Sequence, residues 1–170
     1  LVKLQKLLNA CALTRKNIFI NTTLPVESKQ KRKNILKFIL NNETLIDGLN
    51  VSRHMQLKTN LEDDSLIQDI YRLTRIPIKI NSVLIGVKAE ETWIIDFIDK
   101  YESFVTNISF RGDYTKIIDQ TTLRSLDHPI LTVLFKLPRL EYLSSGGCLV
   151  CNNDEFRYKN IFVGLHRGYE

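Results

Sequence analysis

The sequence predicts an α/β protein with a small central, mainly parallel four-stranded sheet flanked by helices. Strand-like and helix-like segments alternate from residue 17 to residue 103, with one hairpin among them. The last strand-like segment, "IKINSVLIGV", is apolar almost throughout, as expected for a strand covered on both faces. Such alternation is typical of parallel strands joined by crossover helices. An N-terminal helix precedes this core, and a helical and hairpin extension follows it.

The composition is that of a globular protein. Of the 170 residues, 44% are hydrophobic and 25% are charged, which is ordinary for a domain with a buried core. No apolar run approaches the length of a membrane span, and the charged N-terminal segment does not fit a signal peptide. We therefore predict no membrane association. The three cysteines are an odd number without a framework, which favours a reducing compartment.

The net charge of +5 is concentrated at the N-terminal end. Residues 1–42 carry nine Lys and Arg side chains and a single acid, Glu27, whereas the rest of the chain is slightly acidic. A basic segment of this kind can bind phosphates or an acidic partner, and it can also simply keep a helix face solvated. The sequence leaves both interpretations open.

The first elements begin at the N-terminus. Residues 2–10 have the one-sided apolar pattern of a helix, and "KNIFINTT" (16–23) predicts a strand because it is β-branched and aromatic. After Pro25 a second helix starts, with Ser28 as its predicted N-cap. Its predicted inward surface is formed by Ile35, Leu36, Phe38, Ile39 and Leu40.

The middle of the chain predicts two short strands and a third helix. The strands are "TLIDGLNVSR" (44–53) and "HMQLKT" (54–59), and Asn60 is the predicted cap of a helix over 61–73. Three acids, residues 62–64, suit the positive end of that helix. Its predicted buried stripe consists of Leu66, Ile67, Ile70, Tyr71 and Leu73.

Trp93 is the only tryptophan, and it follows the strand predicted over 78–87. On the next predicted helix it starts an aromatic row with Phe97 and Tyr101, each four residues further along. Burying one large aromatic side chain contributes about 1.5–3 kcal/mol. We therefore predict that Trp93 is structural and supplies much of the contact between this helix and the sheet.

The C-terminal third predicts a helix followed by a hairpin. Residues 121–143 carry one apolar stripe, with Pro129 suited to a helix start and Pro138 to a helix end. We predict that this segment packs on a second domain or on a partner subunit. "SSGGCLVCNNDEFRYKNIFVGL" (144–165) predicts a hairpin with its turn at "NND".

Cys148 and Cys151 have the spacing of a metal or redox motif. A zinc site needs further ligands, but no second cysteine pair follows and the histidines are scattered. A redox C-x-x-C normally begins a helix, whereas this one lies in a predicted hairpin. The chain also has no Gly-rich phosphate loop, nucleophile motif or paired-acid motif. We predict no catalytic residue, no metal and no cofactor.

The element order and the tryptophan resemble the BRCT repeat of DNA-damage-response, checkpoint and chromatin proteins. "KNIFINTTLP" is similar to the first BRCT strand, and "NILKFILNNETLIDGLNVS" is similar to the first helix with the second strand. "INSVLIGVKAEETWIIDFI" resembles the fourth strand and third helix, with Trp93 at the family's signature tryptophan. "FRGDY" (110–114) and "RYKNIFVGLHRGYE" (157–170) resemble the exit from one repeat and the first strand of a second.

The resemblance implies a domain organisation and a function. It implies an N-terminal helix (1–15), a BRCT-like domain (16–104), a linker with a helical extension (105–156) and the first strand of a second repeat (157–170). A tandem repeat and a single repeat preceded by its own helix both fit. The implied function is a non-catalytic protein–protein interaction module of a nuclear genome-maintenance or chromatin protein. Its partner would be a protein, phosphorylated in the tandem type.

Phosphopeptide-binding members of the family suggest where a phosphate would bind. They hold it with a Ser or Thr and a following Gly after the first strand, and with a Thr-x-Lys in the second helix, through charge-assisted hydrogen bonds. This sequence departs from the motif, since Leu24 or Thr23 stands at the glycine and Gln68 falls nearest the lysine. The acids at 62–64 would also repel a phosphate. The candidate residues are Thr22, Thr23, Lys58, Thr59 and Gln68.

The cluster "KQKRK" (29–33) suggests an alternative function. On the predicted second helix it forms a basic, solvent-facing end that can contact DNA phosphates. It also fits a nuclear-localisation signal or a merely soluble surface. The alternative is therefore a DNA-binding domain, with candidate residues Lys29, Lys31, Arg32 and Lys33.

Overall fold

The computed structural model describes residues 1–14, 16–54, 62–84, 91–112, 141–148, 151–159 and 161–167. The chain divides into two compact units. Unit 1 comprises Leu1–Val51 and Thr59–Lys79, and unit 2 comprises Ser52–Lys58 and Ile80–Glu170. The described residues confirm the α/β class but contain seven strands, so the predicted count of four is wrong. The domain boundaries implied by the BRCT resemblance remain predictions.

Unit 1 contains a β-α-β arrangement. Its first two strands run parallel, with Phe19 opposite Gly48 and Thr22 opposite Val51. Parallel strands need a crossover connection, which the helix between them supplies. The elements of this part of the chain are α1 (Val2–Ala12), β1 (Phe19–Thr22), α2 (Lys29–Asn41), a short 3-10 helix (Glu43–Leu45), β2 (Gly48–Ser52) and α3 (Asp64–Leu73).

The N-caps of α2 and α3 show one correct and one wrong prediction. Ser28 caps α2, since its Oγ accepts the backbone N–H of Lys31 at 3.1 Å, as predicted. The cap of α3 is Asp63, whose carboxylate accepts the backbone N–H of Leu66 at 3.3 Å. The prediction of a helix from residue 61 with Asn60 as its cap is therefore wrong at its start. Asn60 itself lies outside the described residues.

The buried faces of α2 and α3 are narrower than predicted. On α3 only Leu66, Ile67 and Ile70 are buried, whereas Tyr71 and Leu73 are exposed. Successive residues of an α-helix are about 100° apart, so residues 71 and 73 fall beyond the two edges of this short stripe. On α2 the predicted inward residues behave similarly, because Ile39 is buried, Leu40 is exposed and the other three are intermediate.

Unit 2 is built mainly from strands. It contains most of β3 (Ile78–Leu84). In the strand order β3 is followed by β4 (Asn107–Gly112), β7 (Ile161–Arg167), β6 (Cys151–Tyr158) and β5 (Glu141–Cys148). β7 is parallel to β4 on one side and antiparallel to β6 on the other, so it is an interior strand. β5 is antiparallel to β6.

The C-terminal predictions are only partly correct. Strands do form on both sides of a hairpin, but "NND" (152–154) lies inside β6, and the chain reverses between Cys148 and Cys151. Pairing of β6 with two neighbouring strands outweighs the turn preference of Asn and Asp. Residues 141–143, predicted to end a helix, begin β5. The rest of that predicted helix lies outside the described residues, as do residues 55–59 of the predicted strand 54–59.

The most deeply buried residues of helix α4 (Glu91–Tyr101) do not include Trp93. Ile94, Ile98 and Tyr101 are at most 1% exposed and Phe97 is 8% exposed, whereas Trp93 is 39% exposed. The prediction that Trp93 supplies much of the contact between this helix and the sheet is therefore wrong, because these four other residues are buried more deeply. Residues spaced by four drift about 40° around a helix at each step, so Trp93 lies to one side of Phe97, away from Ile94 and Ile98.

Lys159 ties the β6–β7 connection to the end of α4. It has a φ of 53°, in the left-handed region, and its Nζ lies 2.9 Å from both Glu102 Oε1 and Asp99 Oδ1. Hydrogen bonds to Glu102 and then to Asp99 raise the pKa of the Lys159 ammonium above its usual value. The ammonium therefore keeps its charge to a higher pH than an ordinary lysine does.

Within the described parts of the chain, no helix has the length and apolar character that crossing a membrane requires.

Candidate functional site

At the end of β1 a threonine side chain accepts a hydrogen bond from the backbone of the segment that follows. Thr22 Oγ1 accepts the backbone N–H of Leu24 at 2.9 Å. Leu24, which stands at the glycine position of the BRCT motif if Thr23 is its hydroxyl residue, has a φ of 46°, in the left-handed region that favours glycine, and its side chain is buried. The Leu24 N–H therefore already has an acceptor within the protein, the hydroxyl oxygen of Thr22.

The structure describes two of the four remaining phosphate-binding candidates. Thr23 and Gln68 are exposed, and Lys58 and Thr59 lie outside the described residues. An isolated antiparallel bridge joins Pro25 to Glu62, so the segment after β1 lies beside the acidic segment before α3. Carboxylates near that bridge would repel a phosphate dianion. Phosphopeptide recognition at this position stays a prediction.

Arg32 joins α2 to α3 through a group of partly buried ion pairs. Its Nε donates to Asp63 Oδ2 at 3.0 Å, and its Nη2 donates to Asp69 Oδ2 at 2.5 Å. The same Nη2 lies 3.2 Å from Ser65 Oγ, and Arg72 pairs with the second oxygen of Asp69. The guanidinium of Arg32 is therefore occupied within unit 1, although Arg32 is one of the DNA-binding candidates.

These contacts shift the pKa values of the groups that make them. The hydrogen bond to Asp69 outweighs partial burial and raises the pKa of Arg32. Burial by itself would raise the pKa of Asp63, but hydrogen bonds from Ser65, Arg32 and a backbone N–H outweigh it and lower the pKa. Hydrogen bonds from Arg32 and then Arg72 lower the pKa of Asp69. Both carboxylates therefore favour the charged form in the folded state.

Replacing Arg32 by glutamine should destabilise unit 1 in a pH-dependent way. The loss at pH 7 is expected to be about 1–2 kcal/mol, between the values for exposed ion pairs and charged hydrogen bonds. Since the pKa values of Asp63 and Asp69 are lowered on folding, their contribution is present above about pH 4 and is lost as the pH falls through the folded-state values.

Urea unfolding of wild type and Arg32→Gln, at pH 7 and again near pH 3, measures this effect. The stability difference between the two proteins should shrink at the lower pH. Lys33→Gln is the matched control, because it removes the same charge from the adjacent residue, which is exposed. A difference for Arg32→Gln that does not change with pH would show that these ion pairs do not stabilise the fold.

A row of exposed lysines runs along α2. Lys29 and Lys33, both predicted candidates, are exposed, and Lys37 continues the same spacing of four residues. We call these three residues the lysine row. Lys31, another candidate, instead lies 2.6 Å from Glu27, one turn earlier. Lys37 is not among the candidates predicted from the sequence, although its spacing from Lys33 was the signal that could have identified it.

The positive charges on α2 begin at the end of the helix where they are least favourable. The N-terminus of a helix carries a partial positive charge, so a cation in the first turn costs about 0.3–1 kcal/mol, whereas an anion is stabilised there. The first turn of α2 contains no acid, and the helix from Lys29 to Asn41 contains none either. Sequence choices that oppose local stability are characteristic of functional surfaces. A bound phosphate would make this arrangement favourable.

The described residues contain no group of three or more His, Cys, Asp or Glu side chains that could hold a metal ion. Comparison of the chain with protein families, with curated proteins and with solved structures gives no match. The BRCT resemblance therefore rests on its sequence features and remains a prediction.

Proposed function

We propose that this chain is a non-catalytic interaction module of a nuclear genome-maintenance or chromatin protein, and that α2 docks it on the phosphate backbone of DNA. The observation that carries this proposal is the lysine row. Its three residues span eight steps of 1.5 Å, about 12 Å along the helix. That length covers roughly three to four phosphates of one DNA strand, measured along the duplex axis.

A linear polyanion fits this surface better than a single phosphate group does. Recognition of one phosphate needs donors that converge on a point. After β1 the N–H of Leu24 is bonded to Thr22, and the guanidinium of Arg32 is bonded to two aspartates. The lysine row instead presents separate ammonium groups along a line. Such contacts position a protein on a duplex without reading its sequence, so we expect binding with little sequence preference.

Titrating a fluorescently labelled DNA duplex with single variants of α2 tests the proposal. Removing one phosphate contact should weaken binding about eightfold at 0.1 M salt, since each contact contributes about 0.9 logarithmic units there. We expect Lys33→Gln to show this decrease. Lys31→Gln, the matched control two residues away, should weaken binding less than about twofold because its ammonium is paired with Glu27. Equal decreases in both variants would contradict a role for the lysine row.

A protein partner is the second candidate, and the exposure of Trp93 favours it. Tryptophan is enriched among the residues that dominate binding energy at protein interfaces. A partner bound there should be lost by Trp93→Ala and kept by variants of the lysine row. Phosphatase treatment and Thr22→Ala, applied in the same capture from nuclear extract, separate a phosphorylated partner from an unmodified one. DNA binding that survives Trp93→Ala would distinguish the two candidates.

A further inference from the structure

We propose that Cys148 and Cys151 form a reversible disulfide across the end of the β5–β6 hairpin, by exchange with a low-molecular-weight disulfide. The two residues are direct partners in the antiparallel register, at the point where β5 ends and β6 begins. The same C-x-x-C spacing occurs in zinc sites and in redox motifs at the start of a helix. The register distinguishes the hairpin arrangement from them, and this proposal does not depend on DNA binding by α2.

The backbone register satisfies the distance requirement of a disulfide. Directly opposed residues of an antiparallel pair have Cα atoms about 4.5–5.5 Å apart. Disulfides are found at Cα separations of about 4.4–6.8 Å, so the register places this pair within the range over which a disulfide can form. Two strands are thereby joined at a position where their hydrogen-bonded ladder stops.

The sequence around the two cysteines lacks other features that would stabilise the end of the hairpin. Two-residue connections favour Asn and Gly because they need positive φ angles, whereas the residues between the cysteines are Leu149 and Val150. The preceding part of β5 is "SSGG" (144–147), which has weak strand propensity. A covalent bond at the last register pair would supply the local stability that this sequence does not.

The chemistry is two successive thiol–disulfide exchanges. The thiolate of one cysteine attacks a sulfur of the small disulfide, which forms a mixed disulfide and releases one small thiol. The thiolate of the other cysteine then attacks the protein-bound sulfur, forms the Cys148–Cys151 bond and releases the second small thiol. The protein loses two electrons and two protons, and the small disulfide is reduced to two thiols. Excess small thiol reverses both steps.

The test uses the full chain with Cys11→Ser, which removes the remaining cysteine. The protein is equilibrated in buffers of reduced and oxidised glutathione, both folded and in urea, and free thiols are then alkylated and located by peptide mass spectrometry. We expect an intramolecular 148–151 disulfide whose formation constant is at least about tenfold larger in the folded chain. An equal or smaller constant in the folded chain would overturn the proposal, because the register would then not favour closure.

Single-cysteine variants provide the control for the second exchange. Cys148→Ser and Cys151→Ser, each in the Cys11→Ser background, should stop at the mixed disulfide with glutathione. The chain that keeps both cysteines should proceed past that stage and release the bound glutathione. If it also stops at the mixed disulfide, the two cysteines do not lie within bonding reach and the proposal is wrong.

Discussion

Replacing Phe97 by alanine is expected to lower the free energy of unfolding by about 3–5 kcal/mol, the usual loss for a buried aromatic side chain. The Phe97 ring is almost fully buried, with its centroid 4.9 Å from that of Tyr101 and 5.8 Å from that of Phe110. Removing it leaves a cavity and abolishes two aromatic interactions. Trp93→Ala should cost only about 1–2 kcal/mol, since Trp93 is 39% exposed.

Urea unfolding followed by circular dichroism measures both variants, because the signal does not depend on the single tryptophan. Trp93→Phe is a conservative control and should be close to wild type, since it keeps much of the apolar contact. A loss for Trp93→Ala as large as that for Phe97→Ala would restore the structural role that the sequence predicted for Trp93.

Neutralising the whole lysine row is expected to have the largest effect on binding. Because this change removes three ammonium groups that would each meet a phosphate, affinity for duplex DNA at 0.1 M salt should fall by about two to three orders of magnitude. The fold should tolerate the triple change to glutamine, because all three side chains are exposed. Removing Lys29 also takes a cation away from the positive end of α2, so we expect stability to be unchanged or slightly higher.

A matched triple variant separates the lysine row from the general basicity of the N-terminal quarter. Changing Lys3, Lys6 and Lys16 to glutamine removes the same charge from three exposed residues outside α2. We expect this control to weaken binding far less than the variant of the row does. Equal decreases would mean that DNA responds to net charge and that the spacing on α2 has no role.

Local sequence signals were sufficient to predict much of the fold. The Ser28 cap and the strand before Pro25 depend on residues close together in the chain, and both were predicted correctly. Trp93 and Tyr71 were misjudged because apolar character alone does not show how wide a buried helix face is. The "NND" stretch was misjudged because strand pairing on both sides of β6 outweighs local turn preference.

The candidate site was harder to predict because its main contacts are distant in sequence. Arg32 bonds to Asp63 and Asp69, which lie 31 and 37 residues away, and no local pattern indicates such pairing. From the sequence Arg32 was grouped with the candidate DNA-binding lysines because it is basic and lies between them. In the structure Arg32 joins two helices, whereas the lysines of the row face solvent.

The dependence of DNA affinity on salt tests the proposed function most directly. Each phosphate contact contributes about 0.9 to the slope of log affinity against log salt concentration, so wild type and the lysine-row triple variant should differ by about 2.7. The slope of the Lys3, Lys6 and Lys16 control should stay close to that of wild type. Identical slopes for wild type and the lysine-row variant would contradict the proposal that α2 contacts the DNA backbone.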